Sequence, residues 1–301
     1  MHDFQRYLHT CMAHFEFPEE ARAELSAAYM QVFSEAANLR ALSEAMAMYE
    51  ADKQGGCIKM LSLCKELSAC SDVHIYVVYA LVLTMMAEVS KVHYQKEGVP
   101  LSIWKENFLD LKYKLVECKL VKGIWGIFVP EWYLGFLTAN RFSFGRLQFE
   151  LIDFGHSYNR NLLVLNEKSP VINMHIPRTG TRLTPADVEN ACERAAVFFK
   201  EKYALERSVF VCHSWLLYPA NKEMLSPTSN LYSFLSRFDI VEVGEYPDYK
   251  EVWRLFDCDY TGEVSRLPAD TSLRRAYIDR IQRGEKTGWG YGVFVYETGA
   301  V

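Results

Sequence analysis

The sequence predicts an α+β protein: an all-helical N-terminal domain over residues 1–125, then a mixed β-sheet domain packed with helices over residues 126–301. Three observations predict it. Ala, Leu, Met and Glu dominate residues 21–49, and Trp104, Phe108, Leu111 and Leu115 recur at helical period. After about Gly123 the texture changes, and Phe142, Phe144, Leu147, Phe149 and Leu151 alternate roughly with polar residues around Gly145. Further along, short runs rich in β-branched and aromatic residues take turns with helical stretches.

The elements follow in order. Pro18-Glu19-Glu20 opens a helix, with proline and acids in its first turn. Gly55-Gly56 is expected to break the helical pattern, before a helix over 58–69 and a strongly apolar one over 73–94. The apolar run contains His74 and meets Glu88, so it falls short of the roughly twenty residues a membrane span needs and reads as a buried helix. Gly98-Val99-Pro100 makes a turn, Ser102 is the expected cap of the helix through 104–116, and residues 131–137 form one more short helix. Strands follow at 141–151, at Leu162-Leu163-Val164-Leu165 and at 171–176. Thr184 as N-cap, Pro185 at the first helical position and Asp187 in the first turn start a helix that runs to about Tyr203. Its apolar face is Val188, Cys192, Ala195, Ala196 and Phe199. A β-like run over 208–218 ends at Pro219. A helix over 229–238, a strand over 240–244, a helix over 249–256, a helix capped by Thr271 or Ser272 and an aromatic strand over 289–296 complete the chain.

Composition narrows the function. Half of the 301 residues are apolar and 14% are aromatic, enough for a sizeable core. Net charge is −5, with 13 basic and 17 acidic groups over 1–140 and 20 and 21 over 141–301, so neither half offers the basic surface of a nucleic-acid or anionic-membrane binder. The eight cysteines include no Cys-x-x-Cys pair, so no metal site is expected. With Met1-His2-Asp3-Phe4-Gln5 lacking a basic start and apolar stretch, they point to free thiols in a reducing cytoplasm.

One run carries chemistry. Val171-Ile172-Asn173-Met174-His175-Ile176-Pro177 reads as a strand, Arg178-Thr179-Gly180-Thr181-Arg182 as a loop, and Leu183-Thr184-Pro185 as a helix opening. Free backbone N–H groups and the positive end of a helix dipole make this order a seat for phosphate. An ordinary turn with two solvated arginines is the plainer reading of the same residues.

Residues 171–203 are similar to the fourth strand, phosphate-binding loop and third helix of the GNAT acyltransferase superfamily. The whole chain resembles bacterial acyltransferase-domain proteins that join a helical N-terminal domain to a GNAT-like C-terminal domain. His175-Ile176-Pro177, Gly180 and Leu183 carry the likeness, with Val-Phe-Val-Cys-His-Ser-Trp-Leu-Leu-Tyr-Pro over 209–219, Ser229-Asn230, and Leu267-Pro268 before Thr271-Ser272-Leu273. The resemblance implies acyl-CoA (acetyl-CoA or longer) as co-substrate, in a V-shaped gap between the strands at 171–176 and 208–218. It implies a pyrophosphate on Arg178, Thr179, Gly180, Thr181 and Arg182. The usual loop is arginine or glutamine, two residues, glycine, one residue, then glycine or alanine. Here the glycine comes one residue early and no second small residue follows.

The resemblance also expects a tyrosine, as general acid to the leaving thiolate, early in the helix after the second of those strands. Tyr232 lies there, about one position off the family spacing. His175 and Glu150 by strand position, and His213 beside the gap, are candidates to take the proton of the incoming nucleophile. Cys212 and His213 are strand neighbours that point to opposite faces, which excludes a cysteine–histidine dyad of those two. The function expected is acyl transfer from acyl-CoA to an amine or similar small nucleophile by direct attack. The alternative is a non-catalytic module for a small ligand or protein on a degenerate GNAT-like fold. A small-molecule acceptor is the expected partner, with no nucleic acid, membrane or metal.

Overall fold

The computed structural model describes residues 3–160 and 163–297. The chain divides into two compact units, one of residues up to Phe142 with Arg178–Gly180, the other of Ser143–Pro177 and the chain from Thr181 on.

The first unit is helical, as the sequence predicts. Its elements are α1 (Phe4–His14), α2 (Glu19–Val32), α3 (Ala36–Ala51), α4 (Lys53–Ser71), α5 (Ile75–Lys96), α6 (Leu101–Phe108) and α7 (Asp110–Lys122). A 3-10 turn at Pro130–Tyr133 leads into the short α8 (Leu134–Leu137). The apolar run is α5, long and apolar enough to cross a membrane by length and composition, but mostly buried as the centre of the unit. It touches α1, α2, α3, α4, α6, α7 and α8, which is why its stretch from Val77 to Ala87 is apolar on nearly every side. Its buried hydroxyls are satisfied within the helix, Thr84 Oγ1 donating to Ala80 O at 2.6 Å and Ser90 Oγ to Ala87 O at 2.7 Å.

Three details differ from the sequence reading. Gly55 and Gly56 do not break a helix; they lie in the first turn of α4, after Asp52 caps it by accepting from Gln54 N. A Cβ at Gly56 would overlap the backbone of Tyr49, so the glycine lets α3 and α4 approach closely. The N-cap of α6 is Pro100, not Ser102, and the chain re-starts as α7 after Leu109. Finally, the division at Phe142 lies C-terminal to the 125/126 boundary drawn from sequence. Hydrogen bonds explain it: Tyr49 Oη donates to Leu137 O at 2.6 Å, Tyr94 Oη to Phe136 O at 2.8 Å, and Tyr133 Oη to Asp110 Oδ2 at 3.2 Å.

The second unit is built on a six-stranded mixed sheet. Its strands are β1 (Arg141–Phe144), β2 (Leu147–Asp153), β5 (Pro170–His175), β6 (Ser208–Ser214), β7 (Asp239–Glu245) and β8 (Gly288–Tyr296), and β3 (Tyr158–Arg160) and β4 (Leu163–Leu165) form a separate hairpin. The expected strand from Leu162 is β4; Leu162 itself lies outside the described residues. The sheet order is β1-β2-β5-β6-β8-β7. β2 and β5 are antiparallel, β5 and β6 parallel, and β8 runs antiparallel to both β6 and β7. The helices are α9 (Pro185–Tyr203), α10 (Pro219–Met224), α11 (Asn230–Leu235), α12 (Trp253–Phe256) and α13 (Ser272–Gln282). The β-like run expected to reach Tyr218 stops at Ser214, whose hydroxyl caps a 3-10 turn at Trp215–Leu217.

Strand alternation sorts the sheet into two faces. Phe149, Met174, Phe210, Cys212 and Phe294 lie on one, with Tyr296, whose hydroxyl bonds Glu189 of α9. Val171, Val209, Val211, Tyr291 and Val293 lie on the other and pack with Phe154, Tyr158, Leu163 and Leu165. That second face is apolar at one end and polar at the other, and the polar end carries the candidate site.

Candidate functional site

The parallel strands β5 and β6 pair at Ile172↔Phe210 and Asn173↔Val211, and the recorded pairing stops there. β5 continues to His175 and β6 to Ser214, so the two strands part at their C-terminal ends. His175 and His213 each lie two residues beyond the last pair. Alternation puts both on the face of Val171 and Val211, one on each side of the opening.

Glu150 and His175 meet. Nε2 of His175 is 2.7 Å from Glu150 Oε1, and each side chain keeps 20% of its surface. Asn173 Nδ2 donates to the same Oε1 at 3.1 Å and stands 3.2 Å from His175 Nε2. With Glu150 ionised, the proton of the imidazole belongs on Nε2, where it donates to the carboxylate, and Nδ1 becomes the basic nitrogen. A carboxylate that orients an imidazole and stabilises its protonated form is suited to general-base work. Sequence analysis named Glu150 and His175 but missed Asn173. The period-two alternation that puts Asn173 beside His175 was the available signal.

His213 remains exposed and lies 4.3 Å ring to ring from Trp289. Desolvation holds its imidazole below the ordinary histidine value, and the Glu242 carboxylate partly offsets that. Cys212 is buried on the opposite face, its thiol pushed up to about 12 by desolvation, so it is a core residue and no nucleophile.

The loop residues divide between the units: Arg178, Thr179 and Gly180 group with the helical one, Thr181 and Arg182 with the sheet. Gly180 takes a left-handed φ of 79° and has open space where a Cβ would stand. The helix that follows is already capped. Thr184 Oγ1 accepts from Asp187 N at 3.1 Å and Asp187 Oδ2 from Thr184 N at 3.0 Å, and Pro185 has no N–H, so α9 offers few free donors. Donors for an anion must come from the loop itself. A residue that sequence reasoning missed holds the loop's flanks: Arg146 donates through Nη1 to Pro177 O at 3.2 Å and through Nη2 to Thr181 O at 3.1 Å.

Tyr232 lies in α11, half-buried, with Lys222 Nζ 5.2 Å from its ring centre, and its backbone N–H caps on Ser229 Oγ at 3.1 Å. The expected helix over 229–238 is shorter, ending at Leu235. A cleft of about 1230 Å³, lined by Tyr158, Arg160, Lys200, Arg207 and Tyr296 among others, lies at the opposite end of β6 and includes none of the predicted site residues. Among the described residues no group of three metal-ligating side chains assembles.

The comparisons with known proteins follow the same two-part division. The GNAT-like C-terminal domain family matches residues 142–294, and the N-acyltransferase N-terminal domain family matches residues 6–139. No curated protein matches the chain. Among solved structures, an acyltransferase mutant in complex with octanoyl-CoA is similar over 96% of this chain and 87% of its own, at a TM-score of 0.75 and 18% identity. An acyltransferase in complex with decanoyl-CoA and teicoplanin is similar over the same shares, at 0.73 and 18%. One in complex with CoA and 10C-teicoplanin covers 95% and 86%, at 0.74 and 18%. At that identity the likeness is one of fold.

Proposed function

We propose, for a chain that belongs to the GNAT-like C-terminal domain family and carries an N-acyltransferase N-terminal domain before it, that it moves an acyl group from acyl-CoA to an amine or similar small nucleophile. Structural neighbours solved with octanoyl-CoA and decanoyl-CoA support the donor class, and one solved with teicoplanin supports a small-molecule acceptor. The observation that carries the reading is the Glu150–His175 hydrogen bond on the strand beside the β5–β6 opening.

In this reading the acyl-CoA enters the opening, and the pyrophosphate is held by Arg178, Thr179, Gly180, Thr181 and Arg182. The amine nitrogen attacks the thioester carbonyl directly, and no covalent enzyme intermediate forms. His175 Nδ1 takes the proton the amine loses, and Glu150 stabilises the imidazolium. The C–S bond breaks as the amide forms. Tyr232 donates its phenolic proton to the departing thiolate, which leaves as the free thiol. His213 is the second candidate base, on the other side of the opening. The free thiols among the described cysteines support a reducing, cytoplasmic setting.

Two observations favour a second reading, a non-catalytic small-ligand or protein-binding module: α9 caps itself, and the loop has a single glycine. One experiment separates the two. CoA, acetyl-CoA and octanoyl-CoA are titrated in a thermal-shift series, and thiol release is then followed with a panel of amines. A ligand at a hundredfold excess over its Kd stabilises by about 2.7 kcal/mol. A shift with thiol release supports transfer, a shift without release supports a module that still holds CoA, and no shift with any of the three overturns the acyl-CoA reading and favours a module for another ligand or a protein.

A further inference from the structure

We propose that the cleft at the end of β6 away from the candidate site is a peptide-binding slot, where one extended segment of a partner chain adds to the free edge of β8. The slot follows from strand lengths. β7 begins at Asp239, which pairs with Val293, and reaches no further along β8. β8 runs on to Tyr296 with β6 still paired to it, as far as Ser208↔Tyr296. Phe294, Val295 and Tyr296 are therefore held in the sheet from one side only. Backbone groups alternate between the two edges of a strand, so at least one of the three turns its N–H and C=O to the side where β7 is absent. Among the described residues no backbone bond from outside the sheet reaches them. The cleft of about 1230 Å³ lies there. An open backbone edge is a template for one ligand chemistry, a chain with donors and acceptors at strand spacing.

The shape of the slot selects a single strand. Val197 and Lys200 of α9 wall it on one face of the sheet, and Tyr158 and Leu163 of the β3–β4 hairpin on the other. Its inner end is closed by Asp239, which accepts from Tyr158 Oη at 2.9 Å and from Arg160 Nη1 at 2.7 Å, and by Arg237, whose Nη1 donates to Glu189 Oε2 at 3.0 Å. The free stretch of β8 spans about 10 Å at the usual strand rise. A tail or loop fits between the walls, and the edge of a folded sheet does not. Successive side chains of an added strand point to opposite faces. One meets the exposed Val197 on the α9 face, and the next meets the exposed Val295 on the hairpin face, so two adjacent aliphatic residues match the slot. The rim mixes signs, with Lys200 and Arg207 among Glu201, Glu206 and Glu297, and the charges at the inner end are paired, so the slot does not draw an ion by charge. None of this depends on acyl transfer.

The probe is the end-capped peptide Ser-Thr-Val-Val-Thr-Ser, titrated into isotope-labelled full-length protein and followed by NMR through the backbone amides. The amides of Asp239 and of Phe294–Glu297 are expected to shift together, with the same Kd at low and high salt. Two further forms of the peptide carry N-methyl groups on alternate residues, one form for each edge of the strand. The form that loses the N–H groups facing β8 is expected to bind about 10-fold more weakly than the other. Serines in place of the two valines of the probe, or Val197→Asp at its exposed helix position, are expected to weaken binding about 5-fold. Equal binding of the two methylated forms overturns strand addition, and the absence of any shift at these amides overturns the slot. Shifts of the same amides with inorganic phosphate and not with the peptide assign an anion site in its place. Self-association through these amides, seen by sedimentation without peptide, assigns the edge to a second copy of the chain. Either of those results also overturns the inference.

Discussion

His175 Nε2 lies 2.7 Å from Glu150 Oε1, yet the two residues are not register partners: Glu150 pairs with Asn173, and His175 with Gln148. The contact is diagonal across the antiparallel pair β2/β5, one step of the period-two alternation apart, within reach of long side chains. That diagonal puts the Asn173 amide beside both groups, where it donates to the carboxylate and fixes its orientation.

Glu150→Gln tests the pair. The amide keeps the shape, removes the charge that stabilises an imidazolium, and offers an N–H that favours the wrong tautomer. General-base help is worth about 10²–10⁴-fold, so kcat is expected to fall by that order while the Kd of CoA stays unchanged. Steady-state kinetics with calorimetry checks both numbers. An unchanged kcat removes Glu150 from the mechanism.

Arg146 and the loop arginines are expected to act differently on CoA. Arg178→Ala with Arg182→Ala removes direct charge, and each lost charge-assisted bond is worth about 1.5–3 kcal/mol. Their loss is expected to weaken CoA binding and flatten its salt dependence. Arg146→Met removes the bonds to Pro177 O and Thr181 O that tie the loop's flanks. It is expected to weaken binding while leaving the salt dependence as it is. Titrations at two salt concentrations separate the cases, and equal slopes in all three proteins refute the assignment.

Tyr232→Phe removes one hydroxyl from a half-buried ring, so the fold is expected to hold. Loss of an acid is expected to lower turnover by about 10²–10⁴-fold. If turnover is unchanged, the donor is another group. Tyr218 is the next to test, since its hydroxyl donates to Glu245 Oε1 at 3.3 Å near the end of β6.

The fold was legible where a local signal was strong. Thr184, Pro185 and Asp187 announced α9, and the capping box is present as those residues require. The apolar run of α5 announced a buried helix because no charged residue falls between Val77 and Ala87. Gly55-Gly56 misled, since helix propensity weighs a glycine against its own backbone only and cannot see Tyr49 packed on it. The candidate site was half legible. Glu150 and His175 follow from strand alternation, but a diagonal contact needs the β2/β5 register, which no residue of either strand specifies alone. Arg146 was invisible as a site residue for the same reason: it acts on backbone carbonyls about thirty residues away.

His213 supplies a pH prediction with a definite sign. Desolvation favours its neutral form, so its titration midpoint is expected below the ordinary value of about 6.5, and the ring stays neutral at pH 7. The Glu242 carboxylate favours the imidazolium, so Glu242→Gln is expected to lower the midpoint further. Histidine ring resonances followed by NMR from acid to neutral pH measure both. A midpoint that rises in Glu242→Gln contradicts the electrostatic arrangement on this face.

Gly56→Ala sets two effects of opposite sign against each other in the helical unit. Alanine is favoured over glycine in a helix interior by about 1 kcal/mol. Against this, its methyl would overlap Tyr49 Cα and N, and those atoms belong to backbone that a rotamer change cannot move. Overpacking of that kind costs about 1–3 kcal/mol, and Tyr49 is fully buried, with its hydroxyl tied to Leu137 O, so α3 cannot shift without straining that bond. The packing cost is expected to win, and chemical denaturation should show net destabilisation. A stabilised Gly56→Ala variant would mean that α3 and α4 separate freely, and that the glycine is there for a reason other than their close approach.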